Sequence, residues 1–148
     1  MRIAAFVASF VIASSALAAD IGLIKVASGS VQIERAGARI KAEVGTAVQI
    51  ADVLRTGADG SAGITFSDNS LLSVGPNTVF EIDRYQFDST THVGEFQGFL
   101  KQGRLAAISG KMVKQSPESM KIRTPSAVMG VRGTEFVVQV DEPVAPSR

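Results

Sequence analysis

The sequence has no cysteine and no tryptophan, and it has one histidine and one tyrosine among 148 residues. Without cysteine there is no disulfide and no thiolate metal site. One histidine is too few for the multi-histidine ligand sets that transition metals take on β scaffolds. That residue, His92, sits in the polar stretch Asp88-Ser89-Thr90-Thr91-His92, which reads as an exposed loop. No Gly-x-Ser-x-Gly elbow occurs, so a Ser-His-Asp relay has only composition in its favour. Fourteen acidic residues leave a carboxylate pair open on composition, but few aromatics and no tryptophan offer a sugar little to stack on. EF-hand and glycine-rich phosphate patterns are missing too; Asp59, Asp68 and Asn69 remain as turn oxygens that could meet calcium. The expectation is a protein that is not an enzyme and carries no cofactor and no metal.

Long hydrophobic runs are also scarce. After Met1-Arg2, residues Ile3 to Ala13 are apolar except Ser9, and Ala16-Leu17-Ala18 supplies the small residues of a signal-peptidase site. An apolar run of about eleven residues suits a signal peptide and falls short of the roughly 18 needed to span a bilayer. Residues 1–18 are therefore expected to be a leader, with Ala19 opening a chain of 148 − 18 = 130 residues that does not span the membrane. No cysteine follows the cleavage site, which excludes a lipoprotein anchor. An exported domain of this size with no disulfide suits a bacterial periplasm.

Net charge is close to zero, yet its distribution is uneven. From Asp52 to Glu95 there are seven acids against Arg55 and Arg84; from Lys101 to Arg132 there are seven bases against Glu118. Either the second half forms a basic face, or neighbouring strands bring the halves together and the charges pair. Nucleic acid is not an expected partner, because the basic segment lacks the interleaved aromatics of a single-strand platform.

What is abundant is glycine: fourteen, all after residue 18, spaced about every eight to twelve residues between short runs of Val, Ile, Phe and Thr. That rhythm predicts a β-sandwich or barrel. Alternation is clear at Val31/Ile33, Ala62/Ile64/Phe66, Phe80/Ile82, Met120/Ile122 and Phe136/Val138/Val140, the residues expected to face inward. Such half-buried strands predict antiparallel sheets. Thr56-Gly57-Ala58-Asp59-Gly60 predicts a turn with two glycines free to take positive φ, and Ser67-Asp68-Asn69-Ser70 a hairpin tip with Asn69 in the left-handed region. Thr124-Pro125 predicts a bend. Val48 to Leu54 is the best helical candidate, too short to weigh much. Ser109 to Ser119 reads as the longest loop, and residues 141–148, with two prolines, as a flexible tail.

Several of these runs resemble the FecR domain of bacterial envelope signalling systems. They are Gly29-x-Val31, Leu54-Arg55-Thr56-Gly57, Ser61-Ala62-x-Ile64-x-Phe66-x-Asp68-x-Ser70-Leu71-Leu72, Gly103-x-Leu105 and the string from Thr124-Pro125 to Val131-Arg132-Gly133-Thr134-Glu135-Phe136. The family often has Gly-Asp where this chain has Ala51-Asp52, and Asp-Gly-Ser where it has Asp68-Asn69-Ser70. The resemblance spans nearly all of residues 19–140 and implies a jelly-roll-like antiparallel β-sandwich that works by binding. The regulators that name the family receive a signal from an outer-membrane transporter and pass it inward to a sigma factor. The sequence shows neither their anti-sigma segment nor their transmembrane helix, so a stand-alone periplasmic partner of a transporter or signalling regulator is expected.

Two groups of residues stand out as candidates. Lys111, Lys114, Lys121 and Arg123 are expected contacts for an anionic envelope polymer, lipopolysaccharide or peptidoglycan, should the chain bind one. Thr124, Pro125, Arg132, Gly133, Thr134 and Phe136 are expected to be structural, with Arg132 tying carbonyls or a carboxylate across its turn.

Overall fold

The computed structural model describes residues 18–141. They form β1 (Asp20–Ser28), β2 (Val31–Arg35), β3 (Ala38–Lys41), β4 (Ala47–Gln49), β5 (Val53–Thr56), β6 (Ser61–Phe66), β7 (Leu71–Val74), β8 (Val79–Phe87), β9 (Gly94–Ile108), α1 (Lys111–Gln115), β10 (Met120–Arg123), β11 (Val128–Gly130) and β12 (Glu135–Val140). The expected leader and tail lie outside the described residues, apart from Ala18 and Asp141. No helix among the described residues is long and apolar enough to cross a membrane.

The chain is all-β, and nearly every strand pair is antiparallel. One layer runs β4-β1-β6-β7-β9-β12 and the other β3-β2-β5-β8-β9-β10-β11. Strand β9 belongs to both, so the layers are two halves of one curled sheet; this order, more than a jelly-roll label, describes the connectivity. Its first part, Gly94 to Gln102, pairs with β8, and its last part, Leu105 to Ile108, with β7. The change of layer falls at Gly103, whose φ is +95°. Thr78 packs beneath it and its Oγ1 accepts the Arg104 N–H at 3.1 Å. Thr56 Oγ1 accepts the Thr78 N–H at 2.9 Å and donates to the Gly75 carbonyl at 2.6 Å, which places Thr78.

Alternation puts the expected residues inward. Val31, Ile33, Ala62, Ile64, Phe66, Phe80, Ile82, Met120, Ile122 and Val138 are buried, and Phe136 and Val140 are half-buried against the same core. At its centre Phe66 meets Phe96 edge-on at 5.2 Å and stacks with Tyr85 at 5.4 Å. Gly98 leaves room for the Phe80 ring.

Four local expectations are corrected. One pair is parallel: β10 runs alongside β9, Met120 opposite Phe96. The bend of β9 shortens the return path, so residues 109–119 suffice as the crossover. That segment is not all loop, for α1 buries Met112 and Val113. Val48 to Leu54 holds the end of β4, a turn at Ala51 and the start of β5. Neither Gly57 nor Gly60 takes positive φ. They are small because Ser30 packs against both, its carbonyl accepting the Gly57 N–H at 2.9 Å.

The two layers are clasped opposite β9. Arg35, at the end of β2, donates Nε and Nη2 to the two Asp52 carboxylate oxygens at 2.8 and 2.7 Å, and Nη2 also to the Ala47 carbonyl at 2.9 Å. Asp52 takes a further bond from the Gln49 N–H at 2.8 Å. The pair ties β2 to the turn that carries the chain from β4 in one layer to β5 in the other, and the bond to Ala47 reaches β4 itself. The Asp52 hydrogen bonds raise the Arg35 pKa above its ordinary value.

Candidate functional site

The outer faces of the two layers differ in chemistry. On the β8–β9–β10 face, Glu81, Phe99 and Arg123 stand in one cross-strand row, and Gln97 and Lys121 in the next. An open cleft of ≈ 330 Å³ lies here, lined by Asp83, Gln97, Gly98, Lys121, Arg123 and Val128. Period two brings Lys121 and Arg123 to one face because Met120 and Ile122 are committed to the core. Asp83 reaches the cleft where the β8–β9 register slips between Ile82 and Arg84.

Arg123 does two things there. Its Nη2 bonds Asp83 at 3.1 Å, and its guanidinium lies over the Phe99 ring, 4.5 Å from the centroid. Lys101 stands 5.8 Å from the same ring and pairs with Glu81 at 3.2 Å. Val128, on β11 opposite Arg123, is 67% exposed. Aromatic, arginine and exposed apolar surface thus meet at one place, the composition of an interface centre.

The sheet therefore brings the acidic and basic halves together, at Glu81–Lys101 between adjacent β8 and β9 and at Asp83–Arg123 across β9, while Arg132 pairs with Glu118 inside the basic half. Arg104, Lys111, Lys114 and Lys121 have no acidic partner among the described residues. Of the four cations expected to act together, Lys121 and Arg123 line the cleft; Lys111 and Lys114 sit exposed on α1 and do not.

The structure also places the second group. Thr124 is buried, its Oγ1 accepting the Ala127 N–H at 3.1 Å across the turn that holds Pro125. Gly133 has φ +93° with open space around its Cα, and its carbonyl accepts the Ser109 hydroxyl at 2.6 Å. The Thr134 carbonyl accepts the Ser109 N–H at 2.9 Å. Arg132 does meet a carboxylate, Glu118 at 2.6 Å, but the side chains are 73% and 75% exposed. A pair this wet contributes about 0–1 kcal/mol, not the roughly 1–3 kcal/mol of a buried partner left unsatisfied.

Asp59 and Asp68 do not converge on a cation site, since they lie at opposite ends of β6. No group of three or more metal-ligating residues occurs among the described residues. Asp68 instead turns inward. It is fully buried and accepts the Ser70 N–H at 3.1 Å, the Ser70 hydroxyl at 2.6 Å and the Tyr85 hydroxyl at 3.3 Å. Ser70 Oγ in turn accepts the Gly110 N–H at 3.1 Å, and the Asp68 carbonyl takes the Lys111 N–H at 2.9 Å, so this buried cluster seats α1. His92 stacks on Phe87 at 6.1 Å, at the tip between β8 and β9.

Burial, followed by the Asp68 charge, pushes the Tyr85 phenol well above its ordinary 10.0. The folded chain disfavours the phenolate, so this contribution to stability is complete below pH 10.0 and is lost as pH rises past it. Tyr85 is the chain's one tyrosine. Its near-ultraviolet phenolate band should therefore stay absent in the folded protein well above the ordinary titration. Stability of the parent should fall more steeply than that of Tyr85→Phe above that pH; parallel profiles would contradict the assignment.

Fold and cleft together define an all-β domain with an open, mixed-polarity cleft on one sheet face. The chain matches the FecR protein family over residues 52–146 and belongs to that family. The family is regulatory, of the signalling type. No curated protein and no solved structure matches the chain. The matched span starts at Asp52, so β1–β4, with Gly29-x-Val31, precede it; they are integral to the domain because β1 pairs with β6 and β2 with β5.

Proposed function

We propose that the chain is an exported periplasmic module of envelope or iron-uptake-type signalling, which recognises an outer-membrane transporter or a signalling regulator through the β8–β9–β10 face. FecR membership supports the signalling role. The observation that carries the surface is Arg123 laid over Phe99 beside exposed Val128. Its Asp83 partner orients the guanidinium without burying it, leaving an edge free to meet a carboxylate or carbonyl.

A photo-crosslinking residue at Val128, expressed in the native envelope, should give a protein adduct on a chain that begins at Ala19. Arg123→Glu should cut the adduct at least tenfold while circular dichroism is unchanged, since Arg123 is exposed. A chain still carrying Met1 would overturn export, and an adduct indifferent to Arg123→Glu would overturn the surface.

Lys111, Lys114 and Lys121, without an acidic partner among the described residues, favour a second reading, binding of lipopolysaccharide or peptidoglycan. Such binding should weaken steeply with salt and vanish when these three and Arg123 become Glu. A protein interface centred on Phe99 and Val128 should weaken far less.

A further inference from the structure

We propose that two copies of this chain pair antiparallel through β12, with Val137 opposite its counterpart, joining the two β4-β1-β6-β7-β9-β12 layers into one continuous sheet. Strand β12 is the edge of its layer and pairs only with β9 among the described residues. At six residues it is longer than the other edges, β3 at four and β4 and β11 at three. Edges that must stay single are protected by proline, lysine, a bulge or shortness. Glu135 to Val140 contains no proline and no lysine, and its register with β9 is uninterrupted.

The hydrogen-bonding phase of β12 follows from one bond. Ser109 N–H donates to the Thr134 carbonyl, so Thr134 and every second residue after it bond β9. Glu135, Val137 and Gln139 then point their N–H and C=O groups to the open side. These are the groups an added strand needs.

Charge favours the register centred on Val137 over the one centred on Val138 and allows a second copy as the occupant. With Val137 at the centre of a two-fold pair, Glu135 faces Gln139, and Phe136 faces Val138 on the inner side. With Val138 at the centre, Glu135 would face Asp141, two like charges across the ladder, which is destabilising. The strand is thus complementary to itself in the first register, as an isologous interface requires.

The outer face of the layer points the same way. Leu23, Leu71 and Ile108 lie in one cross-strand row with Thr65, and Val137 lies in the next with Val26, Gly63, Ser73 and Ala106. Val137 is 49% exposed. Glu135, at the rim, is the one charged side chain in these two rows. Lys25, exposed in the β1 bulge, borders these rows at their far end, and pairing at β12 continues their largely uncharged surface from one copy into the other.

The chain has no cysteine, so a single introduced thiol reports one contact. Under mild oxidation Val137→Cys should form a disulfide-linked dimer, because opposed residues of an antiparallel pair stand about 5.5 Å apart at Cα, within disulfide range. Ser73→Cys, exposed on an interior strand, should stay unlinked. Sedimentation over about 1–100 μM should show a concentration-dependent dimer. Val137→Lys should be monomeric with an unchanged circular dichroism spectrum. A parent that is monomeric throughout, or a dimer that survives Val137→Lys while Val137→Cys fails to link, overturns the proposal.

Discussion

Gly103→Ala should destabilise the domain by about 2–5 kcal/mol, a large part of the roughly 5–15 kcal/mol that holds a domain of this size. Two effects add. The residue sits at φ +95°, where a side chain on an L-residue costs about 1–2 kcal/mol. The new methyl would also press into Thr78, including its backbone Cα, at the point where β9 passes from one layer to the other. Backbone cannot swing aside as a side-chain end can, so overpacking adds about 1–3 kcal/mol. Gly45→Ala is the control: its φ is +93°, with nothing within 4 Å of the position a Cβ would take. Urea denaturation of the two variants should differ by the overpacking contribution. Equal losses would mean that Thr78 yields and that the kink does not depend on glycine for space.

Arg35→Ala should cost about 2–4 kcal/mol. The Asp52 side chain is 2% exposed, and the substitution leaves its carboxylate with the Gln49 N–H as its remaining donor. Stranding a fully buried charge costs about 3–5 kcal/mol, and the figure here is lower because Arg35 is 30% exposed and water can follow it in. Arg35→Lys keeps the charge and loses the two-pronged fit, so it should fall between parent and Arg35→Ala. Arg132→Ala, breaking an exposed pair, should cost under about 1 kcal/mol. If Arg132→Ala proved as damaging as Arg35→Ala, the clasp between β2 and the β4–β5 turn would not be what closes the sheet.

Those two arginines show where sequence reading reaches and where it stops. Arg132 stands in a recognisable string between two glycines. Arg35 stands between Glu34 and Ala36 with nothing nearby to mark it, and its partner is 17 residues away. The resemblance did leave a usable trace at that partner. Ala51, where the family often has glycine, has φ +71°, and Asn69, its counterpart in the β6–β7 turn, has φ +66°. Both are places where glycine would sit without strain, and Ala51 carries that strain so that Asp52 can face Arg35. Burial of Asp68 could not be read at all, since Asp-Asn-Ser is equally good chemistry for a wet hairpin tip.

The sequence by itself determined the all-β class, the inward face of each alternating strand, the hairpin tip at 67–70, the bend at Thr124-Pro125, and the family. These are local properties, set by side-chain alternation along one strand and by the few residues that tolerate a given turn. The tertiary structure alone decided that β9 serves both layers, that β10 lies parallel to it, that Arg35 clasps Asp52, and that Arg123 lands on Phe99 while Lys111 and Lys114 stay on α1. Each of these is a choice of partner across many residues. A strand's pattern says which face it buries, but either of its edges can accept any strand of suitable length, and only the packing of the whole core selects one.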